Sequence, residues 1–365
     1  MKRTTLIIVT VLICMMLKIE NNDLSEMAAR LFLPNLSYMS ASKEKKNPTE
    51  ILMLNVSPLY RYAKENTQGT AQVEDGLTYE MILAEQARDE ERISEDLVNP
   101  PSGETSPEVN QQMVDLAKLQ DVNFLLGNYY TIDSTTTANP ALFNANEMLA
   151  KNMKINQGKA GPKVLIFHTH SQETFKDSVP GDASTSIVGM GKYLSDRLNE
   201  LGVETMHHGG VYDIIDGKLD RSKAYEKAGG AVKNILNQNP SIEVVIDLHR
   251  DGVPETTHLV REVEGKQVAR LMFFNGLSRT KSQGELTSLP NPYLKDNLAL
   301  SLQMQLAFED MYPGFMRRIY LKGYRYNLHL MPKSLLIEAG AQTNTVEELK
   351  NAMDLLAKML AKVLL

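Results

Sequence analysis

The stretch KVLIFHTHSQETF, Lys163 to Phe175, changes character at its middle. Val164, Leu165, Ile166 and Phe167 are apolar without interruption, and Gly161 and Pro162 stand before them. A run this short and this continuous is the pattern of a strand covered on both faces. It stops at His168, and His170 and Glu173 follow in the same polar segment. In an open α/β sheet, chemistry collects beyond the carboxyl ends of the strands. Imidazole and carboxylate groups placed close together there suit zinc. Polar loop residues closing a strand are the plainer alternative, and for a single histidine the better one.

The pattern repeats downstream. Lys192 to Leu201 has Leu194, Leu198 and Leu201 at helical spacing, approached through Val188-Gly189-Met190-Gly191 and stopped by Gly202. Val203 to Met206 reads as a strand and Arg221 to Leu236 as a helix. Glu243 to His249 (EVVIDLH) is a second buried strand, and again a histidine ends it, followed by Arg250 and Asp251. Thr257–Val263 and Gln267–Phe274, separated by Glu264-Gly265-Lys266, read as a hairpin. Asn291–Met311 is a long helix, with Pro292 in its first turn, and Arg317–Leu321 a short strand. Repeated βαβ units predict an α/β fold whose sheet is mostly parallel, with helices on both faces. Two strands that end in histidine at one sheet edge bring those side chains together. A satisfied, buried hydrogen bond is the alternative role for His249.

Ser334 to Gly340 (SLLIEAG) is a further buried strand, and Glu338 stands where it ends. A carboxylate there is costly unless it has a partner or a task. Beside a zinc-activated water it is a general base; otherwise it is half of an ion pair, with Arg250 or Arg325. Thr345 and Glu348 have the spacing of a capping box, and the helix they start has Met353, Leu356, Met359, Leu360 and Val363 on one side.

The chain has 365 residues and a net charge of −6, without a basic block, which argues against nucleic acid as a partner. The one cysteine, Cys14, lies in the N-terminal apolar run, so any metal is held by His, Asp or Glu. Lys2 and Arg3 precede the uncharged run Thr4–Leu17. This is the pattern of an export signal, short against the roughly 17–25 residues of a membrane span. Without a clean cleavage site, an uncleaved anchor in the cytoplasmic membrane is favoured, and a cleaved signal peptide is the alternative. Residues 1–20 are thus the anchor or signal. Residues 21–125 read as an extracytoplasmic stalk, with the linker-like NPPSGETSPEVN at Asn99–Asn110, and residues 126–365 as the folded catalytic domain. Val122–Ile132 has strand character and Leu142–Met153 helical character.

Taken together, HTHSQE at 168–173, DLHRD at 247–251, RYNLHL at 325–330 and LIEAG at 336–340 resemble the stage II sporulation protein P family. These are cell-wall hydrolases of endospore-forming bacteria that act in engulfment. The match covers about Pro162 to Leu365. The family is similar to zinc-dependent N-acetylmuramoyl-L-alanine amidases. The resemblance implies a phosphorylase/hydrolase-like α/β domain, Zn2+ held by two histidines and a glutamate, and a catalytic glutamate late in the chain. Carried onto this sequence, Glu173 and His249 are ligands and Glu338 is the catalytic glutamate. His170, three residues before Glu173, is preferred over His168 as the other ligand, which leaves His168 to support the site or contact substrate. Arg250 and Asp251 are then expected to orient His249 or bind a substrate carboxylate, and His329 to stabilise the oxyanion. His207, His208 and His258 are expected at the surface or at strand edges. The implied partners are peptidoglycan and stage II sporulation proteins D and M, and the implied place is the engulfing septum or forespore membrane, with secretion as the alternative. Another zinc peptidase, of carboxypeptidase type, would use the same residues. A non-catalytic wall-binding scaffold would not need them.

Overall fold

A computed structural model describes residues 116–365. The anchor or signal at 1–20 and most of the stalk at 21–125 lie outside the described residues. Among the described residues, no helix is long and apolar enough to cross a membrane.

One seven-stranded sheet organises the fold. Its strands are β1 (Tyr130–Ile132), β2 (Val164–Phe167), β3 (Thr205–His207), β4 (Val244–Asp251), β5 (Leu271–Gly276), β6 (Ile319–Lys322) and β7 (Ser334–Ala341). They lie in the order β1-β6-β5-β7-β4-β2-β3. All neighbours are parallel except β7 and β5, which run antiparallel. The sheet is therefore mostly parallel, two parallel halves meeting at one antiparallel seam.

The helices are α1 (Val122–Tyr129), α2 (Ala145–Ala150), α3 (Ile187–Glu200), α4 (Ala224–Gln238), α5 (Leu294–Met311) and α6 (Val346–Leu364). Alternation along the strands divides them between the faces. Val164 and Ile166, Val244, Ile246 and Leu248, and Leu335 and Ile337 join the main core with the apolar sides of α3, α5 and α6. Leu165, Phe167 and Val245 point the other way, onto Ala224, Ala228 and Val232 of α4. Both faces are thus covered, which is why β2, β4 and β7 read as unbroken apolar runs rather than alternating ones.

Several boundaries differ from the sequence expectation. Val122–Tyr129 is helix, not strand, because the Asp121 side chain caps it by accepting from the backbone N–H groups of Asn123 and Phe124; only Tyr130–Ile132 is extended. The helix expected over 142–153 is confined to Ala145–Ala150, capped by Asn144. The glycines before Lys192 lie inside α3. There they give clearance rather than flexibility: a Cβ at Gly191 would stand 2.3 Å from His168 Nε2. The expected hairpin is smaller, Val260–Val263 with Lys266–Ala269, turning at Glu264 and Gly265 with φ of 51° and 77°. The rest of its second arm becomes β5 in the main sheet. Pro292 precedes α5, whose N-cap is Tyr293. The Thr345–Glu348 capping box starts α6.

Candidate metal centre

The chemistry-bearing residues collect past the ends of β2 and β4. These strands are neighbours in parallel register, with Phe167 opposite Asp247. The chain leaving β2 carries His170 and Glu173, and His249 lies near the end of β4. All three are buried, and one ligand atom of each lies within 4.8 Å of the others. Glu173 Oε1 is the shared vertex, 3.6 Å from His170 Nδ1 and 3.8 Å from His249 Nδ1. The two imidazoles meet edge to face, ring centroids 5.0 Å apart. This trio can hold a metal ion, and two imidazoles with one carboxylate form a donor set suited to zinc.

The electrostatics favour a cation. Burial opposes ionisation of Glu173, but its contacts with His170 and His249 outweigh that and hold its carboxyl well below the usual range. Burial likewise opposes a charge on His249, yet Asp247 and Glu173 raise its pKa well above the ordinary value. The pocket attracts positive charge, and metal at His249 Nδ1 would compete with the proton there.

Two buried aspartates fix the ligands. Asp247 Oδ1 lies 2.8 Å from His249 Nε2, which leaves Nδ1 turned toward Glu173. The same carboxylate accepts from the Thr169 N–H at 2.9 Å and the Thr169 hydroxyl at 2.6 Å, beside His170. Asp213 accepts from the Ser171 hydroxyl at 2.7 Å and the Gln172 N–H at 3.1 Å. Ligands and anchors therefore alternate through the loop, each ligating side chain next to a residue held by an aspartate. Glu173 Oε2 accepts from the Arg250 N–H at 2.9 Å.

Glu338 is placed by register. It stands directly opposite His249 in the β7–β4 pairing, so both side chains leave the same face of the sheet. It is buried, 6% exposed.

The other expected residues sit elsewhere. His168 is buried on the α3 side, closed to a substrate. Its Nδ1–H donates to Leu248 O at 2.8 Å, so its Nε2 accepts from His207 Nε2 at 3.0 Å. Burial lowers the pKa of both imidazoles to about 4. Asp251 pairs with Arg317 at 2.7 Å, and the carboxylate beside His249 Nε2 is that of Asp247. The Arg250 guanidinium donates to Thr174 O and Asp251 O, which ties down the loop rather than facing a ligand. His329 precedes β7, and burial, then Arg325 and Lys233, lower its pKa to about 3. His258 contacts Glu348 at 2.9 Å, and His208 contacts the Tyr212 hydroxyl at 2.6 Å.

Sequence reading missed Asp247 and Asp213. The first had a signal, since a strand puts residues two apart on one face. The second lies in a segment without a recognisable pattern.

The family model for stage II sporulation protein P matches residues 43–361. The chain belongs to that family. A curated relative, stage II sporulation protein P of Bacillus subtilis (strain 168), is 24% identical over 217 residues, covering 55% of this chain and 50% of the relative. The aligned part thus spans half of that relative's length. Among solved structures, an N-acetylmuramoyl-L-alanine amidase from Clostridium difficile 630 aligns with 16% identity and a TM-score of 0.32, over 56% of this chain and 95% of its own. The apo form of the N-acetylmuramyl-L-alanine amidase Ami1 from Mycobacterium abscessus aligns with 16% identity and a TM-score of 0.31, over 56% of this chain and 98% of its own. Likeness at that level carries no argument about activity.

Proposed function

We propose that this chain is a zinc-dependent peptidoglycan hydrolase that cleaves the amide between N-acetylmuramic acid and L-alanine, acting in engulfment during endospore formation. The observation that carries the reading is the buried His170–Glu173–His249 trio with Glu338 opposite His249 on the next strand. Family membership supports the cell-wall context. In this reading His170, Glu173 and His249 hold the metal. Bound zinc would supply Lewis acidity toward the scissile carbonyl and toward water.

The chain's own residues supply the rest. Glu338 takes the proton of the attacking water and delivers it to the leaving nitrogen, a transfer suited to a carboxylate held away from bulk solvent. Asp247 fixes the tautomer and direction of His249. Asp213 and Thr169 hold the loop so that His170 and Glu173 present their donors without rearrangement. The N-terminal segment tethers the enzyme to the cytoplasmic membrane with the catalytic domain outside, residues 21–125 give it reach, and stage II sporulation proteins D and M are its partners. Endopeptidase cleavage of stem cross-links would use the same residues.

Mass spectrometry of the products that the full chain releases from purified peptidoglycan tests this, with and without chelator and alongside Glu338→Gln. Free stem peptides are expected, lost on chelation and in the variant. Cleaved cross-links with stems still on the glycan would shift the reading to endopeptidase. No release from folded, zinc-loaded protein, even with the D partner added, would favour a scaffold.

A further inference from the structure

Arg221 stands just before α4 and turns its guanidinium toward the trio, with Nη2 3.8 Å from Glu173 Oε1. That distance is beyond a hydrogen bond. Glu173 does not need it, because its oxygens already face His170 and His249 and accept from the Arg250 N–H. The Arg221 Nε is buried without a hydrogen-bond partner, while the side chain as a whole is 30% exposed. A buried guanidinium N–H left unpaired is costly and rare in a finished structure. The contrast with Arg250 is direct: that guanidinium is committed to Thr174 O and Asp251 O. Arg221 is thus a permanent cation beside the atom on which the metal ligands converge, with its Nε buried and unpaired and the rest of its side chain partly exposed to solvent.

A planar guanidinium in that state matches a carboxylate, which it can grip through two parallel hydrogen bonds. Its nearness to Glu173 Oε1 restricts the carboxylate to the immediate neighbourhood of the reacting bond. In the stem peptide the residue after L-alanine is a γ-linked D-glutamate, whose α-carboxyl is free or amidated. We propose that Arg221 is a specificity-determining residue that binds this free α-carboxylate. The proposal rests on the amidase reading above, and it moves to Arg221 the carboxylate-binding role that the sequence suggested for Arg250.

The test uses the full chain and two N-acetylmuramoyl tripeptides that differ only in whether that α-carboxyl is free or a carboxamide. The wild type is expected to favour the acid by about 10- to 100-fold in kcat/KM, carried by KM, the range of one charge-assisted hydrogen bond. Arg221→Gln should erase the preference by raising KM for the acid to that for the carboxamide, and Arg221→Lys should keep part of it. Equal use of both probes by the wild type would overturn the proposal. So would an Arg221→Gln that lowers kcat on both probes with the preference intact, since that marks a role at the reacting carbonyl. Titration calorimetry on the full chain carrying Glu338→Gln reads the same preference without turnover. If that binding preference appears and vanishes with Arg221→Gln while the wild type hydrolyses neither probe, the carboxylate assignment holds and the amidase reading falls. Hydrolysis of both probes with no preference in binding overturns the assignment alone.

Discussion

Asp247 and His249 stand two positions apart on β4 and meet at their side chains, Oδ1 to Nε2, at 2.8 Å. The strand's own geometry makes this contact, because alternate residues share a face. One carboxylate then serves both ligand-bearing segments, since it also accepts from Thr169 next to His170. The amide of Asn in its place would keep the shape and remove the charge. Asp247→Asn should therefore weaken zinc binding by about 10- to 100-fold, the usual cost of losing such an orienting partner. Competition with a chromophoric chelator measures it. An unchanged affinity in a folded variant would mean that His249 is held by packing alone.

The close approach of α3 to β2 makes a second prediction. Gly191 faces the His168 imidazole, which links the end of β2 to the Leu248 carbonyl of β4, and a Cβ there would fall 2.3 Å from Nε2. The ring cannot swing away without giving up its bonds to Leu248 and His207. Gly191→Ala should thus cost about 1–3 kcal/mol of stability, the range for overpacking a filled site. Urea unfolding would show it as a lower midpoint. A neutral result would show that α3 can slide outward.

How much of this was legible in the sequence follows from what each signal depends on. β2, β4 and β7 stood out because strands covered on both faces must be apolar throughout, and the polar residue ending such a run is conspicuous. His249 and Glu338 are found by that rule; His170 and Glu173 follow the run that His168 ends, and His170 is preferred over His168 on the family resemblance. Asp213 reaches the site from a loop, where no periodicity reports direction, and Arg221, read as the first residue of a helix, stands just before α4. Val122–Tyr129 read as extended because its aromatic and branched residues favour strands, whereas one capping bond set from Asp121 decides for helix. The glycines of α3 read as a loop because clearance for a histidine 23 residues earlier in the chain is a tertiary fact.

Acid sensitivity should trace in part to a group far from the site. Asp133, just after β1, is buried beside Lys322, with Lys322 Nζ 4.0 Å and the Tyr320 hydroxyl 2.6 Å from its Oδ2. Burial opposes its ionisation, but hydrogen bonds from Thr135 and Tyr320 and the charge of Lys322 prevail and lower its pKa. A carboxyl lowered on folding contributes stability above its unfolded value of about 3.9, and that contribution is lost as pH falls through the folded pKa. Asp133→Asn should cost about 3–5 kcal/mol near neutrality, the range for breaking a buried pair. The gap between wild type and variant should narrow below about pH 4. Urea midpoints across the acid range decide it, and a gap that does not change with pH would remove Asp133 from the account.

Metal should stabilise the fold through the same three residues that would use it. His170 and Glu173 leave β2 together, but His249 joins them only when β2 and β4 are paired, so the unfolded chain offers no equivalent site. A ligand that binds only the folded state adds stability in proportion to the logarithm of its concentration over Kd, about 2.7 kcal/mol at a hundredfold excess over Kd. Zinc should therefore raise the unfolding midpoint of the full chain, and a chelator should reverse the gain. Glu173→Ala removes the shared vertex and should abolish the response. Glu338→Gln should keep it, because that residue is assigned to proton transfer rather than to the metal. Thermal unfolding of the three proteins at fixed zinc separates the roles. A wild type indifferent to zinc would rule out a tight site at the trio, and a Glu338→Gln that loses the response would make Glu338 a ligand.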